Sequence, residues 1–163
     1  MGATFNADEI FEMAEQIERN GAAFYRKAAG LAKDPEIRTL FSHLAVMEET
    51  HLRLFGEMRA RYAQDGGANR QFDPDDEAMQ YLQTLASRQG WEGKASPLRE
   101  MNGTEPLEQV LWKALAAEKD SVVFYTGMKN MVSAADRRPL DEIIREELVH
   151  VALFQKAYDK HHS

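Results

Sequence analysis

Residues 44–55 read LAVMEETHLRLF, and residues 143–154 read IIREELVHVALF. Both place a glutamate and a histidine three residues apart, Glu48 with His51 and Glu147 with His150, inside a run of apolar residues at helical spacing. Three residues is close to one helical turn, so each pair projects from one face. One Glu-x-x-His pair carries little weight, because with five histidines in the chain chance supplies roughly 0.5 of them. Two pairs in matching apolar settings carry far more. At an offset of 99, Leu44, Glu48, His51, Leu54 and Phe55 fall on Ile143, Glu147, His150, Leu153 and Phe154. Glu146, four residues before His150, could also face inward, but aligning the two histidines selects Glu147.

The match extends upstream of each stretch. At an offset of 100, Ile10, Ala14, Glu18, Phe24 and Tyr25 fall on Val110, Ala114, Glu118, Phe124 and Tyr125, and Gly21 falls on Ser121. The chain is therefore an internal repeat. Each half is a helical hairpin with one glutamate on its first helix and Glu-x-x-His on its second.

Local signals place the helices. The first runs from about Ala7 to about Ala32. Asp34 as N-cap and Pro35 at the first helical position restart the chain into a second helix reaching about Gln64, where Gly66-Gly67 ends it. Residues 65–104 form a long connection rich in Gly, Asp, Gln and Asn, with a short helix possible over 75–86. Thr104 is the expected cap of the third helix, with Pro106 in its first turn. A break is expected at 133–138, and the fourth helix should start near Pro139 and run to about Lys160. No strand pattern competes. The reading is a single all-α four-helix bundle over 1–163, with hairpins at about 7–64 and 105–160. A helix of ~28 residues is ~42 Å long, and the connection can span it. The third helix then starts at the same end as the second, and a pseudo-twofold axis across the bundle relates the hairpins.

The repeat collects Glu18, Glu48, His51, Glu118, Glu147 and His150. Four carboxylates and two imidazoles suit two divalent cations, whose charge the carboxylates balance. Iron and manganese accept mixed oxygen and nitrogen ligands, whereas calcium and magnesium do not favour imidazole. Without metal, four converging carboxylates are costly to bury. Tyr25 and Tyr125, seven residues beyond Glu18 and Glu118, are read as hydrogen-bond donors to the ligands or as redox-active phenols, with plain core tyrosines as the alternative. His43 is read as a surface residue, and His161 and His162 as a frayed tail.

Bulk properties narrow the function classes. The chain has 163 residues, 44% of them hydrophobic, and a net charge of −7. An acidic chain does not suit nucleic acid as a main partner. There is no cysteine, which excludes disulfides, Cys-ligated zinc, iron–sulfur clusters and cysteine nucleophiles. No apolar run approaches the ~20 residues of a membrane span. The N-terminus lacks the layout of a signal peptide, and the expected compartment is the cytoplasm.

These residues resemble the ferritin-like superfamily and, within it, the rubrerythrin-like proteins. The resemblance rests on Ile17-Glu18-x-x-Gly21-x-x-Phe24-Tyr25, Glu48-x-x-His51, Glu118-x-x-Ser121-x-x-Phe124-Tyr125 and Glu147-x-x-His150. It implies two iron ions, or manganese, with Glu48 and Glu147 bridging. Glu18 and His51 would complete one metal, and Glu118 and His150 the other. It implies an oxidoreductase that reduces peroxide or dioxygen, with peroxide reduction the first reading and ferroxidation the second. Rubrerythrins usually append a rubredoxin-like domain, and this chain has no cysteine for one, so an external electron donor is expected. Rubrerythrins proper also carry a further glutamate where this chain has Ser121, which weakens the case for a redox-linked metal shift. The expected assembly is a homodimer, and whether the connection exchanges helix pairs between chains stays open. Ferroxidation, an iron-binding or regulatory module, and an apo structural bundle are the competing readings.

Overall fold

In the computed structural model, residues 7–66, 101, 103–129 and 131–162 are described. They form four helices: α1 (Ala7–Leu31), α2 (Pro35–Gln64), α3 (Leu107–Met128) and α4 (Ala134–His161). No strand occurs among the described residues.

The start and stop signals act largely as their chemistry dictates. Asp34 accepts hydrogen bonds from the backbone N–H of Glu36 (2.8 Å) and Ile37 (3.4 Å), and Pro35 opens α2. These satisfy donors that a helix start would otherwise leave orphaned. The Arg38 guanidinium folds back to donate to the Ala32 carbonyl at 2.9 Å, tightening the α1–α2 turn. α2 ends as Asp65 donates to the Arg61 carbonyl and Gly66 takes φ +75°, a region where glycine carries no Cβ penalty.

Three boundaries differ from the sequence expectation. α3 begins at Leu107, with Pro106 in the cap position and no side-chain cap. Pro106 is extended at φ −56° and ψ 142°, and its carbonyl starts the helix by accepting from Gln109 and Val110. Thr104 lies too far upstream to cap it. α4 begins five residues before Pro139, at Ala134. Ser133 caps it, accepting from the Asp136 N–H at 3.2 Å and donating to Asp136 Oδ2 at 2.7 Å. Pro139 lacks one N–H and so costs one helical bond, which this cap outweighs. At the other end, His161 closes α4 and His162 is its C-cap. His162 stacks on Tyr158 (ring centroids 4.9 Å apart) and pairs with Glu108 at 2.6 Å, so it is anchored rather than frayed. His43 is exposed, as expected. The helix suggested over 75–86 lies outside the described residues.

α1 packs along α2, and α3 along α4; the hairpins meet through α1 with α3 and α2 with α4. Two apolar clusters fill the interior. One joins the start of α1 (Ile10, Phe11, Ala14), the end of α2 (Phe55, Met58), the end of α3 (Phe124, Met128) and the start of α4 (Leu140, Ile143). The other joins the opposite ends, through Phe24, Ala28, Phe41, Leu44, Leu111, Leu115 and Phe154. All neighbouring helices are therefore antiparallel. α2 ends at one pole of the bundle and α3 starts at the other. Fully burying each of Phe11, Phe41, Phe55 and Phe154 contributes about 2 kcal/mol, which offsets the polar residues between the clusters.

A polar tie near the pole where α4 begins joins α2 to α4. Arg61 donates to Asp136 Oδ1 through Nε (2.9 Å) and Nη2 (2.6 Å), and Asp136 is almost fully buried. Asp136→Ala is expected to cost about 2 kcal/mol of stability, since it removes both the cap reinforcement and the partner of Arg61. Urea unfolding checks this. A loss under about 0.5 kcal/mol, the size of an ordinary surface substitution, would contradict it.

Candidate metal centre

On every helix, one acidic residue sits between members of the two apolar clusters. Glu18, Glu48, Glu118 and Glu147 are each at most 4% exposed, as are His51 and His150. Helical spacing sets this up: Glu48 and His51, and Glu147 and His150, lie one turn apart, while Glu18 and Glu118 face them from α1 and α3. The structure brings all six sequence-predicted residues together.

They form two overlapping groups. One ligand atom each from Glu18, Glu48, His51 and Glu147 lie within 4.8 Å of one another, and so do one each from Glu48, Glu118, Glu147 and His150. Glu48 and Glu147 belong to both groups, and each group has one imidazole. The rings of His51 and His150 stack with centroids 5.9 Å apart, 26° from parallel. His51 Nδ1 lies 2.8 Å from Glu147 Oε1 and 3.7 Å from Glu18 Oε2. His150 Nδ1 lies 3.3 Å from Glu147, 3.5 Å from Glu48 and 3.6 Å from Glu118.

The donor set fits divalent cations. Glu18 Oε2, Glu48 Oε1, His51 Nδ1 and Glu147 Oε1 are buried without a well-aligned hydrogen bond, although His51 Nδ1 and Glu147 Oε1 lie close to each other as an ion pair. Buried polar atoms in a well-packed interior are almost always satisfied, and these four all point into one cluster. Oxygen and imidazole nitrogen together match iron, manganese or zinc.

The electrostatics reflect confinement. Burial, with the neighbouring carboxylates, holds Glu48 and Glu118 well above the usual carboxylate range, and burial raises Glu18 too. Burial also opposes ionisation of Glu147, but a hydrogen bond from Glu118 and both imidazoles outweigh it, so its carboxyl is held low. Burial works to lower both histidines. The carboxylates win: Glu147 and Glu18 raise His51 to about 11, and Glu118, Glu147 and Glu48 raise His150 to about 12.

The two tyrosines reach across the pseudo-twofold axis. Tyr125 Oη donates to Glu18 Oε1 at 2.6 Å, and Tyr25 Oη donates to Glu118 Oε1. Burial and the adjacent carboxylates keep both phenols well above their ordinary pKa, so they stay protonated donors. Tyr25 is wedged against Phe41 and Phe154, and Tyr125 against Phe55 at 4.8 Å. Gly21 lies beneath Glu48: a Cβ there would sit 3.4 Å from the Glu48 side chain. Its counterpart Ser121 is buried, but its hydroxyl turns back to the Ala117 carbonyl of its own helix and takes no part in the cluster.

The sequence reading weighs Glu146 only as a rival to Glu147 and gives it no role of its own. Glu146 Oε2 lies 2.7 Å from His51 Nε2, on the ring edge away from the cluster. Aligning the histidines correctly puts Glu147 inside. The signal for Glu146 was its place on the flank of α4 that turns toward α2.

No helix among the described residues is long and apolar enough to cross a membrane. No curated protein matches the chain. A solved structure from Thermotoga maritima, described as a ferritin-like diiron-carboxylate protein, is similar in fold: 21% identity over 98% of each chain, with a TM-score of 0.67. The rubrerythrin family model matches residues 9–158. With four antiparallel helices around a buried carboxylate–histidine cluster and that match spanning nearly the whole sequence, the chain belongs to the rubrerythrin family.

Proposed function

We propose that this protein is a non-haem dinuclear oxidoreductase that reduces peroxide or dioxygen, using two iron ions and an external electron donor; manganese is the alternative metal. The observation that carries the reading is that Glu48 and Glu147 are shared by both ligand groups and that their carboxylates converge, buried, between the two imidazoles. Glu18 with His51, and Glu118 with His150, would complete the two positions. Two bound ferrous ions would supply the two electrons that peroxide reduction consumes and the Lewis acidity that polarises its O–O bond.

The chain's own residues organise the rest. Tyr25 and Tyr125 fix the carboxylates of Glu118 and Glu18 by donating to them, and burial keeps both phenols protonated for that role. The phenylalanines packed on these rings hold water away and keep the donors aimed. The protein is read as cytoplasmic and homodimeric, with no nucleic acid or membrane partner.

A ferroxidase is the second reading, supported by Ser121. With no further carboxylate at that position, the cluster lacks an extra ligand toward which a metal could shift. Rapid mixing of anaerobic ferrous-loaded protein with peroxide and, separately, with dioxygen tests both. Faster oxidation by peroxide, repeated when reductant is added, supports the peroxidase. Faster oxidation by dioxygen with iron released as product supports the ferroxidase.

Tyr125→Phe leaves Glu18 Oε1 without its donor. It is expected to weaken binding of one metal about tenfold, as lost hydrogen bonds to ligands commonly do, with the fold intact. Competition against a chelator measures this, and unchanged affinity would reduce Tyr125 to a packing residue.

A further inference from the structure

His51 and His150 occupy matching places, yet their outer edges differ. His51 is fully buried with Nδ1 toward the cluster, and its Nε2 meets Glu146 at 2.7 Å. The Glu146 side chain is 46% exposed, so a surface carboxylate closes over the back of a buried ring. Around His150, the carboxylates of Glu48, Glu118 and Glu147 all lie on the Nδ1 side. No carboxylate among the described residues faces its Nε2. The offset that places His51 on His150 places Met47 on Glu146, and a thioether is at best a weak acceptor. The repeat is thus broken at the position that backs a ligand histidine.

An imidazole that donates Nε2–H to a carboxylate is locked in the tautomer that leaves the Nδ1 lone pair free. Its ring is aimed and its ligand nitrogen made more basic. We infer that Glu146 is a positioning residue that makes the two metal positions unequal: the one built with Glu18 and His51 holds a divalent ion more tightly than the one built with Glu118 and His150. This rests on the dinuclear reading above. It goes beyond that reading in giving the site an order of filling, with the α1–α2 hairpin supplying the first position and α4 reinforcing it from outside.

The test is an anaerobic titration of metal-free protein with Co(II), followed by calorimetry and by the visible absorption of the bound ion. Wild-type protein should show two unequal steps. Glu118→Ala should keep the tighter step, which assigns it to the His51 position. Glu146→Ala should weaken that step about tenfold or more and leave the weaker one within about twofold. Glu146→Gln, which retains an acceptor without the charge, should fall between. Because Glu146 is half exposed, the fold should tolerate both changes, and thermal unfolding of the metal-free variants verifies this. Two equal wild-type steps, equal weakening of both steps by Glu146→Ala, or an unchanged tight step would each overturn the inference. Failure of the wild type to bind any Co(II) would overturn the dinuclear reading itself, whereas two ions bound with no response to Glu146→Ala would overturn only the inequality.

Discussion

Glu48→Ala or Glu147→Ala should abolish binding of both metals, while Glu18→Ala should lose one and keep the other. The difference follows from membership. Glu48 and Glu147 each contribute an atom to both ligand groups, whereas Glu18 belongs to one. Removing a shared carboxylate takes a ligand from both positions and leaves two cations close together with less negative charge between them. Removing Glu18 costs one position a ligand and frees Tyr125, its hydrogen-bond donor. Metal analysis after exhaustive dialysis reads the result: near zero for Glu48→Ala and Glu147→Ala, and near one per chain for Glu18→Ala. Equal losses in all three variants would contradict the shared role.

The second large effect concerns the metal-free protein, which should lose stability as pH rises from about 6 to about 9. Two sets of groups act in the same direction. Glu18, Glu48 and Glu118 have raised folded pKa values, chiefly from burial. A raised group contributes stability that is complete below its unfolded pKa and is lost as pH climbs through the folded one. For these carboxyls the loss begins above 4.5. The histidines behave likewise. His51 is raised from 6.5 to about 11 and His150 from 6.5 to about 12, so their contribution fades from pH 6.5 upward. Glu147 opposes them, because its lowered pKa contributes stability above 4.5 that is lost as pH falls. Its effect belongs to the acid side. The metal-free protein should therefore be most stable at about pH 5 and weaker by on the order of 3 kcal/mol at pH 9. Bound metal should flatten the curve, because it neutralises the cluster and adds its binding free energy to folding. Denaturant titrations of metal-free and loaded protein at each pH measure this. A metal-free protein as stable at pH 9 as at pH 6 would contradict the inward convergence of these groups.

The sequence made the cluster legible because the repeat supplies its own control. Glu18 and Glu118, or His51 and His150, are each ambiguous alone, but a register that aligns both with apolar neighbours leaves few ways to fold. α2 was equally plain, since Asp34-Pro35 and Gly66 act through local backbone chemistry. Elsewhere local signals competed. Pro139 reads as a helix start, but Ser133 caps α4 earlier because its bonds with Asp136, which also holds Arg61, outweigh one missing N–H. Thr104 reads as a cap, but the extended backbone of Pro106 sets the start of α3. His162 reads as tail, and only the fold brings Tyr158 and Glu108 to it. The crosswise bonds of Tyr25 and Tyr125 depend on how α1 and α3 meet, which spacing along either helix does not encode. Glu146 was obscured by the same repeat that revealed Glu147, because its counterpart is Met47.

The central claim is that six buried side chains hold two metal ions in one bundle. The most direct measurement is metal content per chain after growth in iron-supplemented medium, by elemental analysis of the purified protein. The account predicts two ions per chain. A protein that purifies with none, and takes up none when offered ferrous iron anaerobically, would contradict it.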